Sequence, residues 1–189
     1  MNCKVLLNQI KLIKNLLYVE RIQFYQKEIV IYTSSSYLLR TLSFLKNHVL
    51  FQYNMLVQIT AVDYLKKKTR FEIVYELLSI RYNSRIKLKV CLNEFQSIES
   101  CESLFLSANW FECEVFDMYG VFFFNHSNLK RILTDYGFEG YPLRKDFPLS
   151  GYIEVKYDEK NKRIVNEFLE LAQEYRSFDF ISPWNTLKN

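Results

Sequence analysis

Three carboxylates on one predicted helix, followed by a histidine, are the residues of this chain best placed for acid–base chemistry. They are Glu112, Glu114 and Asp117, and His126 comes soon after them. At helical spacing Glu112 and Glu114 point to different faces, and only Glu114 and Asp117 are neighbours. The histidine has no sequence neighbour that would complete a catalytic triad. We therefore predict that these carboxylates pair with cations or accept hydrogen bonds from backbone amides.

The four cysteines do not have the spacing of a metal site. Cys101 and Cys113 are too far apart along a helix to share a metal ion, and Cys3 and Cys91 are distant from both. The chain has only two histidines, so we predict no zinc or iron–sulfur site made by this chain alone. The sequence also lacks a glycine-rich nucleotide-binding loop and the serine elbow of hydrolases. An enzyme that acts alone is not predicted.

A stretch of alternating basic and aromatic residues follows the histidine. Basic pairs occur at residues 130–131 and 144–145, with aromatic side chains between and beside them. Such alternation can bind single-stranded nucleic acid. However, Asp135, Glu139 and Asp146 dilute the positive charge, and arginine with aromatic residues is also typical of protein interfaces. We favour a protein interface, with an RNA-binding module as the less favoured alternative.

The elements that must position these residues begin with regular structure, since the first 119 residues contain no glycine or proline. Apolar spacing predicts an N-terminal helix and then a strand over residues 28–33. A second helix should follow, with an N-cap within residues 34–36 and an apolar stripe from Leu38 to Val49. These elements come before the main sheet.

Two or three more strands are predicted within residues 55–92, where apolar and polar residues alternate. A two-residue turn at residues 83–84 would place Leu77 opposite Val90, so that both strands bury the same face. The cations on the other face of the last strand would discourage pairing at an exposed sheet edge.

A third helix is predicted after these strands. Ser97 or Ser100 would cap it, and its apolar stripe runs from Leu104 to Met118. Together the segments predict an α+β fold, a two-layer domain of a mainly antiparallel sheet with helices on one face. We assign this domain to residues 1–119.

The pattern changes from Gly120 onward, because every glycine and proline lies between Gly120 and Pro183. The segment is rich in aromatic residues but too irregular to build its own core, so it must lie along the domain or along a partner. We predict that residues 120–189 form an extended, irregular C-terminal arm that docks on partner subunits. The spacing of residues 163–175 fits both a helix and an extended segment.

Three ordered blocks of the sequence carry a family resemblance. They read ANWFECEVFDMYGV at residues 108–121, TDYGFEGYPLRKDFPLSGY at 134–152 and QEYRSFDFISPW at 173–184. These blocks resemble the thirty-kilodalton subunit family of respiratory complex I, which includes mitochondrial subunit nine and its counterpart in bacterial NADH-quinone oxidoreductase. The chain departs from the family pattern at Cys113, where the family usually has arginine.

The resemblance implies a core structural subunit in the peripheral arm of NADH:ubiquinone oxidoreductase, a proton-translocating enzyme. Such a subunit is non-catalytic, and no activity is expected of the isolated chain. It implies no cofactor bound by this chain, with FMN, iron–sulfur clusters and quinone in neighbouring subunits. An equivalent subunit of a related hydrogenase or chloroplast dehydrogenase complex is the alternative.

The resemblance also implies partners and a location. The C-terminal region would contact the forty-nine-kilodalton subunit and other peripheral-arm subunits, with no nucleic acid and only indirect contact with the membrane. The location would be the matrix side of the mitochondrial inner membrane. The scarcity of alanine is typical of an AT-rich genome and favours an organellar gene.

We predict a partner interface along the arm and the helix that precedes it, built from aromatic anchors and arginine–carboxylate pairs. On this hypothesis Arg144→Glu would block assembly and leave the α+β domain folded. The predicted interface residues are Glu112, Glu114, Asp117, His126, Arg131, Asp135, Tyr136, Phe138, Tyr141, Arg144, Lys145, Asp146, Phe147, Arg176 and Trp184.

Overall fold

The computed structural model describes residues 3–25, 28–171, 173 and 176–178, and the chain divides into two units. The first unit is Met1–Phe147 and the second is Pro148–Asn189. The first contains a five-stranded, mainly antiparallel sheet and α-helices, so the predicted α+β class is confirmed. The division comes later in the chain than the boundary that we predicted after residue 119, because residues 120–147 belong to the first unit.

Three α-helices are described in the first unit. They are α1 (Cys3–Leu16), α2 (Leu38–Asn47) and α3 (Ala108–Tyr119). Ile13 of α1 is buried, as expected of one face of a packed amphipathic helix. The predicted N-terminal helix is therefore confirmed.

The predicted starts of α2 and α3 are wrong. A short 3-10 turn precedes α2, and no serine side chain of the described chain caps that helix. It also ends before Val49, which is exposed. α3 begins at Ala108, well after Ser97 and Ser100, because the chain first forms a strand at Ile98–Glu99.

The main sheet has five strands, namely β1 (Arg21–Tyr25), β2 (Glu28–Thr33), β3 (Met55–Asp63), β4 (Phe71–Ser79) and β5 (Ser84–Leu92). Their order in the sheet is β1-β2-β5-β4-β3. β2 and β5 run parallel, and the other neighbouring pairs are antiparallel.

The central place of β5 corrects the role that we predicted for its cations. They do not guard a sheet edge, because β5 has a neighbour on each side. Lys87 instead lies 3.3 Å from a carboxylate oxygen of Glu28 and 3.2 Å from one of Glu76. Lys89 lies 2.6 Å from the carboxylate of Glu72 on β4. These cations therefore pair with carboxylates on both neighbouring strands.

The β4–β5 register differs from the predicted one by four residues. Leu77 lies opposite Ile86 rather than Val90, and the connection is residues 80–83. Asn83, at its end, adopts a left-handed backbone conformation with φ of 45°. Because side chains alternate with a period of two, a shift of four keeps both apolar faces on the same side. The predicted shared face is therefore confirmed although the register is wrong.

The core lies between the sheet and the helices. Leu42 of α2, Ile31 of β2 and Leu88 of β5 are fully buried in one cluster, which also includes Ile13 and Ala108. Full burial of a leucine or isoleucine side chain stabilises a fold by about 1.5–3 kcal/mol. This cluster fixes α3 against the sheet, and α3 in turn positions the segment that follows it.

Two small sheets complete the described structure. β6 (Ile98–Glu99) pairs in parallel with β7 (Phe123–Phe124), which follows α3. In the second unit, β8 (Ile153–Asp158) and β9 (Arg163–Phe168) pair antiparallel. Residues 163–168 are therefore extended, which decides between helix and extended segment for the first part of residues 163–175. Residues 172, 174 and 175 of that segment lie outside the described residues.

Candidate functional site

Asp117 near the end of α3 holds the start of the segment that follows β7. Its Oδ2 accepts hydrogen bonds from the backbone N–H groups of Ile132, Leu133 and Thr134 at 3.1, 2.7 and 2.9 Å. Its Oδ1 accepts one from the Thr134 hydroxyl at 2.7 Å and lies 3.3 Å from Arg131. Burial alone would raise the pKa of Asp117, but these hydrogen bonds outweigh it and lower the pKa. The carboxylate thus anchors three successive residues.

Glu112, five residues earlier on α3, also accepts hydrogen bonds from another segment of the chain. It is fully buried and accepts a hydrogen bond from the Cys101 backbone N–H at 2.8 Å and from the Ser100 hydroxyl at 2.6 Å. Burial raises the pKa of Glu112, and the hydrogen bonds from Ser100 and Cys101 oppose that rise only in part. Glu112 therefore connects α3 to the chain that leaves β6.

The His126 ring is also buried, and its contacts do not form a catalytic relay. Nδ1 accepts a hydrogen bond from the Asn128 backbone N–H at 3.0 Å. In the neutral ring Nε2 then carries the hydrogen and donates to the Asn109 carbonyl at 3.2 Å. The same Nε2 lies 3.9 Å from both Glu112 and Cys113. A relay needs a carboxylate on one nitrogen and the nucleophile on the other, so these residues cannot act as one.

Arg70, the residue just before β4, holds residues 145–146 against the sheet. Its guanidinium lies 2.9 Å from carboxylate oxygens of Asp63, Glu94 and Asp146. Asp63 also accepts a hydrogen bond from the Lys145 backbone N–H at 2.9 Å. Burial would raise the pKa of Asp63, but the bond from Arg70 and its charge lower it. Sequence reasoning missed this network, although a carboxylate that ends an apolar strand, as Asp63 does, was a usable signal.

Arg144 is held inside the first unit in the same way. Its Nε donates to the Tyr119 carbonyl at 2.6 Å, and a terminal nitrogen lies 3.2 Å from Glu94. The guanidinium is also 4.6 Å from the centre of the Tyr141 ring and 5.1 Å from that of Phe71. Arg144→Glu is therefore expected to disrupt the packing of residues 120–147 within the first unit.

The predicted interface residues divide into buried and exposed groups. Glu112, Asp117 and His126 are buried in this chain, so they stabilise its fold and present no surface to a partner. Arg131 donates to the Gly140 carbonyl at 2.9 Å and lies 5.0 Å from the Tyr141 ring. Phe138 and Phe147 contact each other, with ring centres 5.9 Å apart, and both are half-buried, as is Glu114.

Four of the predicted interface residues between residues 134 and 147 lie on the surface. They are Asp135, Tyr136, Lys145 and Asp146, and the Tyr136 side chain is fully exposed. Asp135 accepts a hydrogen bond from the Tyr136 backbone N–H. Tyrosine is a usual interface anchor. The charged residues mostly fix this segment, and the exposed aromatic residue is left for a partner.

In the second unit, the hairpin of β8 and β9 has one apolar face that sequence reasoning did not single out. Alternation places Ile153, Val155 and Tyr157 on the same face, opposite Phe168 and Ile164 on the other strand. All five side chains are exposed, Phe168 by 86%.

The other face is polar and includes the pair Lys156–Glu167, whose charged atoms are 3.3 Å apart. Of the remaining predicted interface residues, Arg176 is exposed and lies 5.5 Å from the Phe178 ring, and Trp184 lies outside the described residues.

Two further features bear on function. Within the part of the chain that the structure describes, no three histidine, cysteine, aspartate or glutamate side chains are grouped so that they could hold a metal ion. Across the same residues, no helix has the length and apolar character needed to cross a bilayer. The absence of a bound cofactor remains a prediction.

Comparison with known proteins gives a consistent result. A family model described as "Respiratory-chain NADH dehydrogenase, 30 Kd subunit" matches residues 31–153. NADH-ubiquinone oxidoreductase subunit 9 of Reclinomonas americana is 50% identical over 171 residues, which is 90% of this chain and 84% of the relative. NADH dehydrogenase (ubiquinone) iron-sulfur protein 3 of Beta vulgaris is 58% identical over 152 residues, which is 80% of this chain and 79% of the relative.

A solved structure supports the fold alone. It is a chain of the membrane-bound sulfane sulfur reductase, an archaeal respiratory membrane complex. That chain superposes with a TM-score of 0.68 at 22% sequence identity, over 92% of this chain and 99% of that one.

Proposed function

Because the chain belongs to the 30-kDa subunit family of the respiratory-chain NADH dehydrogenase, we propose that it is a core structural subunit of mitochondrial NADH:ubiquinone oxidoreductase. Its work is to hold neighbouring subunits in place on the matrix side of the inner membrane. Electron transfer needs cofactors at fixed separations, and a rigid subunit that packs against their carriers supports that geometry.

We propose that the chain itself is non-catalytic and binds no cofactor, with FMN, iron–sulfur clusters and quinone in other subunits. The support is that its acid–base candidates are used within the fold: Glu112 and Asp117 accept hydrogen bonds from backbone amides. His126 is buried and bonded through both ring nitrogens. The three side chains are buried in the first unit.

The observation that carries the proposal is the apolar face of the β8–β9 hairpin. A two-stranded hairpin is at best marginally stable in water, and this one exposes Val155 and Phe168 by 62% and 86%. Contact with an apolar surface of a neighbouring subunit would remove these side chains from water. We propose the forty-nine-kilodalton subunit as that neighbour and Tyr136, on the first unit, as a separate anchor for the complex.

The RNA-binding alternative loses support because the two arginines among its four cations have partners within the chain. Arg131 donates to Gly140, and Arg144 donates to Tyr119. A groove that binds a single nucleic-acid strand needs free cations beside stacked aromatic residues. Arg131 and Arg144 instead hold the segment in which they lie.

A pair of double variants of the full chain tests the proposal. Val155→Ser with Phe168→Ser removes the apolar face, and we expect this variant to be lost from the NADH-oxidising complex in native gels. The matched control, Lys156→Ser with Glu167→Ser, alters the polar face of the same strands and should assemble normally, since an exposed ion pair contributes about 0–1 kcal/mol. Normal assembly of the first variant would contradict the proposed docking face. Absence of the wild-type chain from that complex would contradict the proposed function.

A further inference from the structure

The two edges of the main sheet are protected to different degrees. At the β3 edge, the register shifts between Leu56 and Gln58, and such a bulge interrupts pairing with another chain. Asp63 at the end of β3 also accepts the backbone N–H of Lys145. At the other edge, β1 pairs regularly with β2 over all five of its residues, from Arg21 to Tyr25.

The outer side of β1 pairs with no other strand in the described part of the chain. In an antiparallel ladder every second residue directs its N–H and C=O toward its neighbour, and the residues between them direct theirs away. β1 therefore presents backbone donors and acceptors outward with the spacing of a strand, and they can pair with an added strand.

Exposed aromatic side chains lie on both faces of this edge. Phe24 is 56% exposed and pairs across the ladder with the buried Ile29, so it extends the core face of the sheet outward. Tyr25 points to the opposite face and is 65% exposed. Just before β1, Tyr18 is 55% exposed and stacks on Tyr37 with ring centres 4.6 Å apart. An added strand could bury apolar side chains against these rings.

The chain that leads into β1 is basic. Residues 1–19 contain Lys4, Lys11 and Lys14 and no aspartate or glutamate, and four residues separate the end of α1 from β1. Arg21 opens the strand, and its guanidinium lies 4.2 Å from the centre of the Tyr32 ring on β2. Glu20 is the one acidic residue among the first 25. A partner with carboxylates would complement this charge.

We propose that the open edge of β1 binds an extended acidic segment of another polypeptide of the same complex, which adds to the sheet as a sixth strand. Apolar residues of that segment pack on Phe24, and its carboxylates face Arg21 and Lys14. The inference rests on the proposed function in one respect only, which is that the chain works inside a complex of several polypeptides. It concerns the β1 edge and not the β8–β9 hairpin.

Hydrogen exchange on the full chain, free and within the purified complex, tests the proposal. The amides of residues 21–25 that face outward should exchange at least about tenfold more slowly in the complex, because strand addition engages them in hydrogen bonds. The peptide that contains Met55 to Gln58 at the other edge provides an internal reference. Unchanged exchange of β1 in a complex that contains the chain would overturn the inference and leave the proposed function standing.

A photo-crosslinking amino acid in place of Tyr25 identifies the occupant. A crosslink to an acidic segment of a different polypeptide is the expected result. A crosslink to a second copy of this chain, to the chain itself or to a segment without acidic residues would overturn the inference.

Phe24→Asp should abolish both the protection of β1 and the crosslink, because it places a carboxylate against an acidic strand. Val57→Asp, at the β3 edge and 37% exposed in the wild type, is the matched control and should change neither. If Phe24→Asp left protection and crosslink intact, the assigned contact would be wrong. A wild-type chain that is absent from the NADH-oxidising complex would defeat the proposed function, and this inference with it.

Discussion

At the scale of single residues, the carboxylates of α3 act as substitutes for backbone hydrogen-bond partners. Residues 131–134 have no strand or helix to satisfy their N–H groups, and Asp117 accepts three of them. Unpaired buried amides each cost about 1–3 kcal/mol, so one well-placed carboxylate can fix an irregular segment. The residue type that suggests catalysis is used here for structure.

Asp117→Asn is expected to lower the free energy of unfolding at pH 7 by about 2–3 kcal/mol, since hydrogen bonds to a charged acceptor are the stronger ones. The pKa of Asp117 is lowered in the folded state from its ordinary 3.8. Its contribution is therefore fully present above pH 3.8 and is lost as the pH falls through the lower, folded-state value. Urea unfolding of wild type and variant between pH 7 and pH 2 should show a constant difference above pH 3.8 that shrinks as the pH falls below 3.8.

The control is Glu114→Gln on the same helix, which changes a half-buried carboxylate and should alter stability by no more than about 0.5 kcal/mol. A wild type and an Asp117→Asn variant of equal stability at pH 7 would show that the amides of residues 132–134 find other partners.

At the scale of elements, the end of α3 and the segment after β7 stabilise each other. The last turns of a helix leave carbonyl groups without partners, and here Leu143 N–H donates to Met118 O and Arg144 Nε to Tyr119 O. Gly120 ends the helix in the left-handed conformation, with φ of 75°. That conformation directs the chain away from α3 and leaves room for Tyr141 to pack there.

Two glycine variants separate backbone strain from close packing. A Cβ at Gly120 would lie 2.7 Å from the Tyr141 ring and from Arg144, whereas a Cβ at Gly137 meets nothing within 4 Å. Both glycines have φ near 75°, so alanine costs about 1–2 kcal/mol at either. Gly120→Ala should cost about 1–3 kcal/mol more through overpacking. Denaturant unfolding of both variants measures this, and equal losses would mean that the Tyr141 ring moves aside freely.

At the scale of the whole molecule, the two units differ in how they are stabilised. The first unit holds the apolar core cluster, which extends from Ile13 to Phe123. In the second, the hairpin is the only regular element described, and its apolar face is exposed. The first unit therefore has its own source of stability, and the second is suited to be completed by a partner.

A chain truncated after Phe147 should keep the thermal unfolding midpoint of the full chain within about 2 °C, because 1 kcal/mol shifts the midpoint of a domain of this size by about 2–4 °C. It should not enter the NADH-oxidising complex in native gels. Circular dichroism melts of both lengths make the comparison. A midpoint lower by 10 °C or so would show that residues 148–189 contribute to the first core.

Much of the fold could be predicted because its signals are local. Alternation with a period of two located the strands from β2 to β5, and apolar spacing located α1 and α2. Helix ends were harder to predict from the sequence. The start of α3 depends on the pairing of β6 with β7, and β7 comes after the helix in the chain. The β4–β5 register was also hard to predict, because the turn between these strands is longer than the shortest turn that the sequence allowed.

The sequence by itself determined the α+β class and the family blocks, because both depend on residue types and their short-range spacing. Only the tertiary structure decided that β5 is central and that Arg70 and Asp63 hold Lys145 and Asp146. It also turned Arg144 from a predicted surface contact into an internal one. These partners lie tens of residues apart in the sequence. The residues next to an ionic or hydrogen-bonding side chain look the same whether its partner is in the same chain or in another.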